Sequence, residues 1–287
     1  MKISVTSYSY SKLVSSGRYT EFELIALAKQ MGFEGIEFSG INEPEGESKA
    51  DYAKRLKAEL ERVNLPCVSY TVGADFLNND VEEEIERLCR EVDIAEILGA
   101  PAMRHDAAWG YKGENTKPLG FENALDTLAY GCRKVTEYAQ SKGIKTMTEN
   151  HGYFCQESQR VERLINAVAH ENFGALVDIG NFMCADEDPA CAVGRMAKYA
   201  FHVHAKDFHV KSGNSIPPCD GYFRTRGGNY LRGAVIGHGE VPVYQCLSTL
   251  KASGYDGWVT VEFEGIEDAE IGVAYGRNTL NKLISLL

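Results

Sequence analysis

No two cysteines in this sequence form a C-x-x-C pair, although eight are present, at positions 67, 89, 132, 155, 184, 191, 219 and 246. Spread over 287 residues, they read as scattered reduced thiols, and a disulfide framework is excluded. No run of 18 apolar residues occurs, and the opening MKISVTSYSY lacks the apolar centre of a secretory signal. A soluble, cytoplasmic protein without a membrane partner is expected. Basic charge is scarce: 30 Lys and Arg stand against 41 Asp and Glu, for a formal net charge of −11. That balance disfavours non-specific contact with nucleic acid. The first strand–helix turn, SYSYSKLVSSGRY, has no G-x-G-x-x-G, which weakens the case for an open doubly wound sheet. No Pro/Ser-rich linker divides the chain.

What is present is a regular alternation. Short apolar runs at 3–7, 35–39, 66–71, 100–104, 144–149, 174–178, 200–206 and 258–264 read as strands. Amphipathic stretches follow each of them, roughly at 22–31, 49–63, 81–98, 120–142, 158–170, 189–198, 242–253 and 270–286. Within 81–98, Val81, Ile85, Leu88, Val92, Ala95 and Leu98 recur at steps of three and four, and Gly32 suits a left-handed stop after 22–31. The Gly-aromatic-acid-Gly approach to a strand appears twice, in MGFEGIEF (31–38) and SGYDGWVTVEF (253–263). Eight strand–helix units and 44% hydrophobic content predict an α/β fold, a single (β/α)₈ TIM barrel spanning 1–287.

Polar residues interrupt the strands at their C-terminal ends, where such barrels carry their active sites. FHVHAKD (201–207) places His202, His204 and Lys206 on alternate positions, so they share one side of a strand, opposite Phe201, Val203 and Ala205. Strand five ends in Glu149, Asn150 and His151, strand six in Asp178 and Asn181, and strand eight in Glu262 and Glu264. Strand four offers Arg104 and His105, and strand two Glu37. Taken singly, a strand-end carboxylate is an ordinary helix cap or ion-pair partner. Asp207 can start a turn and Asn181 can cap a helix. Taken together, four consecutive strands bring a carboxylate, a carboxylate, an imidazole and a carboxylate to one rim, and such like charges repel unless a cation neutralises them. Glu149, Asp178, His204 and Glu262 are the candidate ligands, with Glu264 competing through shared parity. One nitrogen with three carboxylates suits Mn²⁺ first, with Mg²⁺, Co²⁺ or Zn²⁺ as alternatives.

At these residues the chain resembles the xylose isomerase-like TIM-barrel superfamily, specifically its sugar phosphate isomerase/epimerase group. The resemblance is strongest at ENHG (149–152), VDIGNF (177–182), HVHAKDF (202–208) and GHGEVPVYQCLSTLKASGYDGWVTVEFEG (237–265). It implies the metal set Glu149, Asp178, His204 and Glu262, and an epimerase or isomerase acting on a sugar or polyol through a metal-stabilised enediolate. Glu149 and Glu262 would then be the two catalytic acid–base groups. His202, Lys206, Asn181, Arg104, His105 and His151 form the candidate substrate-binding set. Many family epimerases carry a histidine where this chain has Asn181, which argues against a multinuclear zinc cluster. The alternative within the resemblance is a lyase or dehydratase, or a keto-glycoside-cleaving enzyme, which starts from the same enediolate. An endonuclease IV-like phosphodiesterase is disfavoured by the −11 charge, and a non-catalytic metal-binding barrel is the remaining class. The expected partner is a small-molecule carbohydrate, and self-association into a homo-oligomer is left open. Residues 208–240 show no clear periodicity and read as a long loop, a lid or an interface element. Arg224, Arg226 and Arg232, with Tyr222, Phe223 and Tyr230, are its candidate substrate-closing groups.

Overall fold

The protein is described by a computed structural model covering residues 1–113, 118–218 and 220–287, so Cys219 lies outside the described residues. In chain order the strands are β1 (Lys2–Thr6), β2 (Gly35–Ser39), β3 (Cys67–Val72), β4 (Ala102–His105), β5 (Lys145–Glu149), β6 (Phe173–Asp178), β7 (Ala200–Ala205), β8 (Asp207–Lys211), β9 (Phe223–Arg224), β10 (Tyr230–Ala234) and β11 (Trp258–Val261). Eight of them close a parallel barrel in the order β1-β11-β7-β6-β5-β4-β3-β2, so the (β/α)₈ expectation holds. Among the described residues, no helix is long and apolar enough to cross a membrane.

Local chemistry sets the helix ends. Thr20 and Glu23 form a reciprocal cap at the start of Glu21–Gln30. Asp80 accepts the Glu82 and Glu83 N–H groups at the start of Val81–Leu98, and the acidic residues 82–84 suit that positive helix end. The expected stop at Gly32 is real, with φ at +82°.

Alternation along the strands divides two cores. Outward residues such as Val5, Ile36, Phe38, Val203, Ala205, Val259 and Val261 are buried in the main apolar core. Inward residues form a small apolar floor from Ala102, Met147 and Leu176, with polar groups above it. Phe201 departs from simple alternation. Ala175 pairs with Ala200 and Leu176 with His202, so Phe201 is the extra residue of an irregularity, and its ring packs on the floor instead of beside Val203. The last barrel strand also ends earlier than the sequence suggests, at Val261, and Glu262 follows with its N–H donated to Ala205 O.

Residues 208–240 are more ordered than their composition suggests. With Asp207 they form a three-stranded antiparallel sheet, β8-β10-β9, over the C-terminal mouth of the barrel. Asp207, the first residue of β8, ties the start of this sheet to the segment that leaves it. Its Oδ1 accepts the N–H groups of Phe208 (2.8 Å) and Val241 (3.0 Å), and its Oδ2 those of Gly237 (2.8 Å) and Gly239 (2.9 Å). The lid arginines are engaged by protein: Arg226 pairs with Glu157 at 2.8 Å, Arg232 lies over Tyr222 and Arg224 over Tyr230.

A carboxylate accepting from four backbone N–H groups cannot be matched by an amide, which has one accepting oxygen. Asp207→Asn is expected to lower unfolding stability by about 2–3 kcal/mol, the scale of lost hydrogen bonds to a charged group. Urea unfolding checks this, and an unchanged midpoint contradicts the anchoring role.

Candidate active site

The inward side chains at the C-terminal ends of β5, β6, β7 and β11 converge. Glu149, Asp178, His204 and Glu262 are all buried, and each offers one ligand atom within 4.8 Å of the others. Their positions are fixed from behind. Asn150 Oδ1 accepts the Asp178 N–H at 3.0 Å and its Nδ2 donates to Asp178 O at 2.8 Å, which locks the end of β5 to that of β6. Asp178 Oδ1 accepts from the N–H groups of Gly180 and Asn181, while Oδ2, fully buried, has no hydrogen-bond partner. Gly180 permits the approach of β7, because a Cβ there would lie 2.8 Å from Lys206 O.

Glu149 is held by Arg104 Nη2 at 2.8 Å on one oxygen and by Asn181 Nδ2 at 2.8 Å on the other. Asn181 also accepts from Lys206 Nζ at 3.0 Å, so it bridges Glu149 and Lys206. Lys206 lies 3.3 Å from Glu262, 3.5 Å from Asp178 and 3.6 Å from Glu264. His204 Nε2 is 2.9 Å from Glu37 and its Nδ1 2.8 Å from Glu262. Both ring nitrogens thus face carboxylates, and Nδ1, on the side of Asp178 and Glu262, is the one that could act as a ligand on losing its proton.

Burial and crowding set the protonation pattern. Burial, with Glu262 and Glu149 adding to it, pushes Asp178 well above the usual carboxylate range. Burial also works to raise Glu262, but Lys206 and His204 outweigh it and hold that carboxyl well below its usual value. Burial works to lower His204, and Glu37 and Glu262 overcome it and push the imidazole well upward. Lys206 is likewise raised, because Glu262, Glu264 and Asp178 overcome its burial. A buried carboxylate oxygen without a hydrogen bond, beside two further carboxylates and an imidazole, is a setting that fits a divalent cation.

A cavity of about 290 Å³ opens above these groups, and Tyr8, Arg104, Trp109, His151 and Lys206 help line it. His151 is partly exposed there, with Nδ1 3.0 Å from both Asp106 Oδ1 and Arg104 Nη2 and its ring against Trp109. Two of the candidate substrate-binding residues are placed elsewhere. His105 points outward, between Phe76 and Phe173, with Nδ1 against Asp106 O; burial lowers it to about 4. Consecutive strand residues face opposite ways, so His105 could not accompany Arg104 into the barrel. His202 lies beneath the cavity, 2.6 Å from Thr260 Oγ1, and burial lowers it to about 4, which keeps it neutral. Asp106, Trp109 and Tyr8 line the site without having been singled out in the sequence, and Glu37, offered there by strand two, had been given no role.

A family model described as "Xylose isomerase-like TIM barrel" matches residues 25–282. An inosose dehydratase from Bacillus cereus (strain AH820) is 25% identical over 219 residues, covering 73% of this chain and 72% of that protein. A D-psicose 3-epimerase from Clostridium cellulolyticum H10, solved with D-tagatose, superposes with a TM-score of 0.75 at 14% identity, covering 99% of each chain. The IolI protein, solved with a zinc atom, gives a TM-score of 0.74 at 16% identity, covering 99% of this chain and 98% of that one.

Two outcomes are expected. Asp178→Asn removes a carboxylate whose ionisation burial opposes, so the metal-free variant should melt higher, by about 2 °C per kcal/mol relieved. The same variant should lose the rise in melting temperature that Mn²⁺ gives the unaltered protein, and a retained rise would exclude Asp178 as a ligand. Glu37→Gln should weaken Mn²⁺ binding by about 10–100-fold in calorimetry, as loss of a ligand-orienting carboxylate does.

Proposed function

The chain belongs to the xylose isomerase-like TIM barrel family, and we propose that it is a metal-dependent enzyme that removes a proton next to the carbonyl of a sugar or polyol, with epimerisation or isomerisation as the outcome. The observation that carries this reading is the convergence of Glu149, Asp178, His204 and Glu262, with their donor atoms within 4.8 Å, under a polar cavity. These four residues would hold the ion. Three carboxylates and one imidazole suit Mn²⁺, with Mg²⁺, Co²⁺ or Zn²⁺ also matched to the set. When bound, the ion would polarise the substrate carbonyl and acidify the adjacent C–H.

The chain's own groups then divide the work. Glu149 on β5 and Glu262 beyond β11 stand on either side of β6 and β7, so they address a bound substrate from two directions. One takes the proton and the other returns it. Arg104 and Asn181 hold Glu149 in place, and Lys206 and His204 hold Glu262. Lys206 remains cationic among its carboxylates and is placed to donate to the oxygen on which charge develops. His202 supports the floor, through Thr260, rather than the substrate.

A second reading, elimination of water from the same starting point, has two supports. The inosose dehydratase relative performs a dehydration by its name. His151, at the cavity wall against Asp106, is placed to protonate a departing hydroxyl. The phosphodiesterase reading is disfavoured by the net charge of −11.

The test is proton NMR of the Mn²⁺-loaded protein with ketoses and inososes in D₂O. Deuterium uptake with all oxygens retained supports epimerisation, and uptake with loss of water supports the dehydratase. Glu149→Gln and Glu262→Gln are each expected to slow exchange by about 10²–10⁴-fold, with metal content measured on the same samples. Unchanged exchange in either variant removes that residue from the acid–base pair.

A further inference from the structure

A second hollow, of about 260 Å³, adjoins the catalytic cavity, and Tyr8 and Glu264 line both. The barrel contributes Ser11 and Lys12 after β1 and Glu267 after β11, and the lid contributes Gly221 and Phe223. The hollow owes its shape to direct backbone contact between lid and barrel. Gly233 of β10 bridges to Gly265, and a Cβ on it would lie 2.5 Å from Glu264 O. Any side chain there would lift the lid and open the wall.

The lining has a definite chemistry. Tyr8 and Phe223 are large aromatics left 42% and 37% exposed, and both face this space. Lys12 Nζ already donates to Gly265 O at 2.8 Å, and Glu264 and Glu267 bring negative charge. That set repels a phosphate or carboxylate. It suits a neutral ring that offers an apolar face to aromatics and hydroxyls to charged groups. Size points the same way. Either hollow alone falls below the ~300–1,000 Å³ usual for ligand sites, and the two together fall within it.

We infer that this hollow is a subsite for a second, uncharged ring joined through a glycosidic oxygen to the ring that reacts, so that the substrate is a glycoside and not a free monosaccharide. The inference rests on the carbohydrate reading of the adjoining cavity. It also gives the lid a role: Phe223 and Gly221 wall the second ring, while the lid arginines stay bound to protein.

The test compares binding of cellobiose and phenyl β-D-glucopyranoside with that of methyl β-D-glucopyranoside to the Mn²⁺-loaded protein, by calorimetry. The two-ring probes should bind at least about tenfold more tightly. Phe223→Ala, which removes a wall, and Ser11→Phe, which fills the space from an exposed position, should each erase that difference and leave methyl glucoside binding unchanged. Circular dichroism shows whether each variant is folded. Equal affinities for one- and two-ring probes, or a difference that survives both substitutions, overturns the subsite. Deuterium exchange is followed separately on the matching keto compounds. Absent exchange with an intact binding difference refutes the proton-abstraction reading while upholding the subsite.

Discussion

Six carboxylates, those of Glu37, Asp106, Glu149, Asp178, Glu262 and Glu264, stand around two permanent cations, Arg104 and Lys206, at the mouth of the barrel. Two like charges 4 Å apart repel by about 4 kcal/mol at an effective dielectric constant near 20, so this arrangement does not assemble by itself. The rest of the barrel mouth is organised to hold it. Asn150 fixes the backbone of Asp178, Asn181 joins Glu149 to Lys206, and Gly180 clears room for β7. The stress left over falls on Asp178, whose Oδ2 is buried without a hydrogen bond.

Much of this was legible in the alternation of residues, and the reason is geometric. Strand parity alone sets Glu149 with Met147, Asp178 with Leu176 and His204 with His202, and the closed barrel turns each of those sets inward. Parity failed where it was not applied strictly or where a neighbour altered it. His105 follows Arg104 directly, so both could never face the lumen. Phe201 obeys the register of β6 against β7, which its own sequence does not encode. Glu37 was visible only as a polar residue on strand two. Its contact with His204 spans the lumen from β2 to β7, and only barrel closure brings those strands face to face.

The lid was illegible for a different reason. β9 is two residues long, and although Phe208 and Leu231 of the sheet are buried in the main core, much of its docking to the barrel is polar. Tyr153 donates to Arg224 O, Thr225 to Asp186, and Arg226 to Glu157 through an ion pair. Such contacts leave no period in a sequence. Of the three lid arginines Arg226 takes part in this docking, and the aromatic Phe223 lines the hollow between lid and barrel.

Asp207 carries a consequence for how such a chain can diverge. Because one carboxylate gathers the backbone at 208, 237, 239 and 241, the two ends of the lid meet at a single clasp next to Lys206. Everything between those ends behaves as a cassette. Its length and composition can be exchanged while the clasp keeps the catalytic strand in register, so new substrate shapes can be explored by replacing the insert, without disturbing the chemistry beneath it.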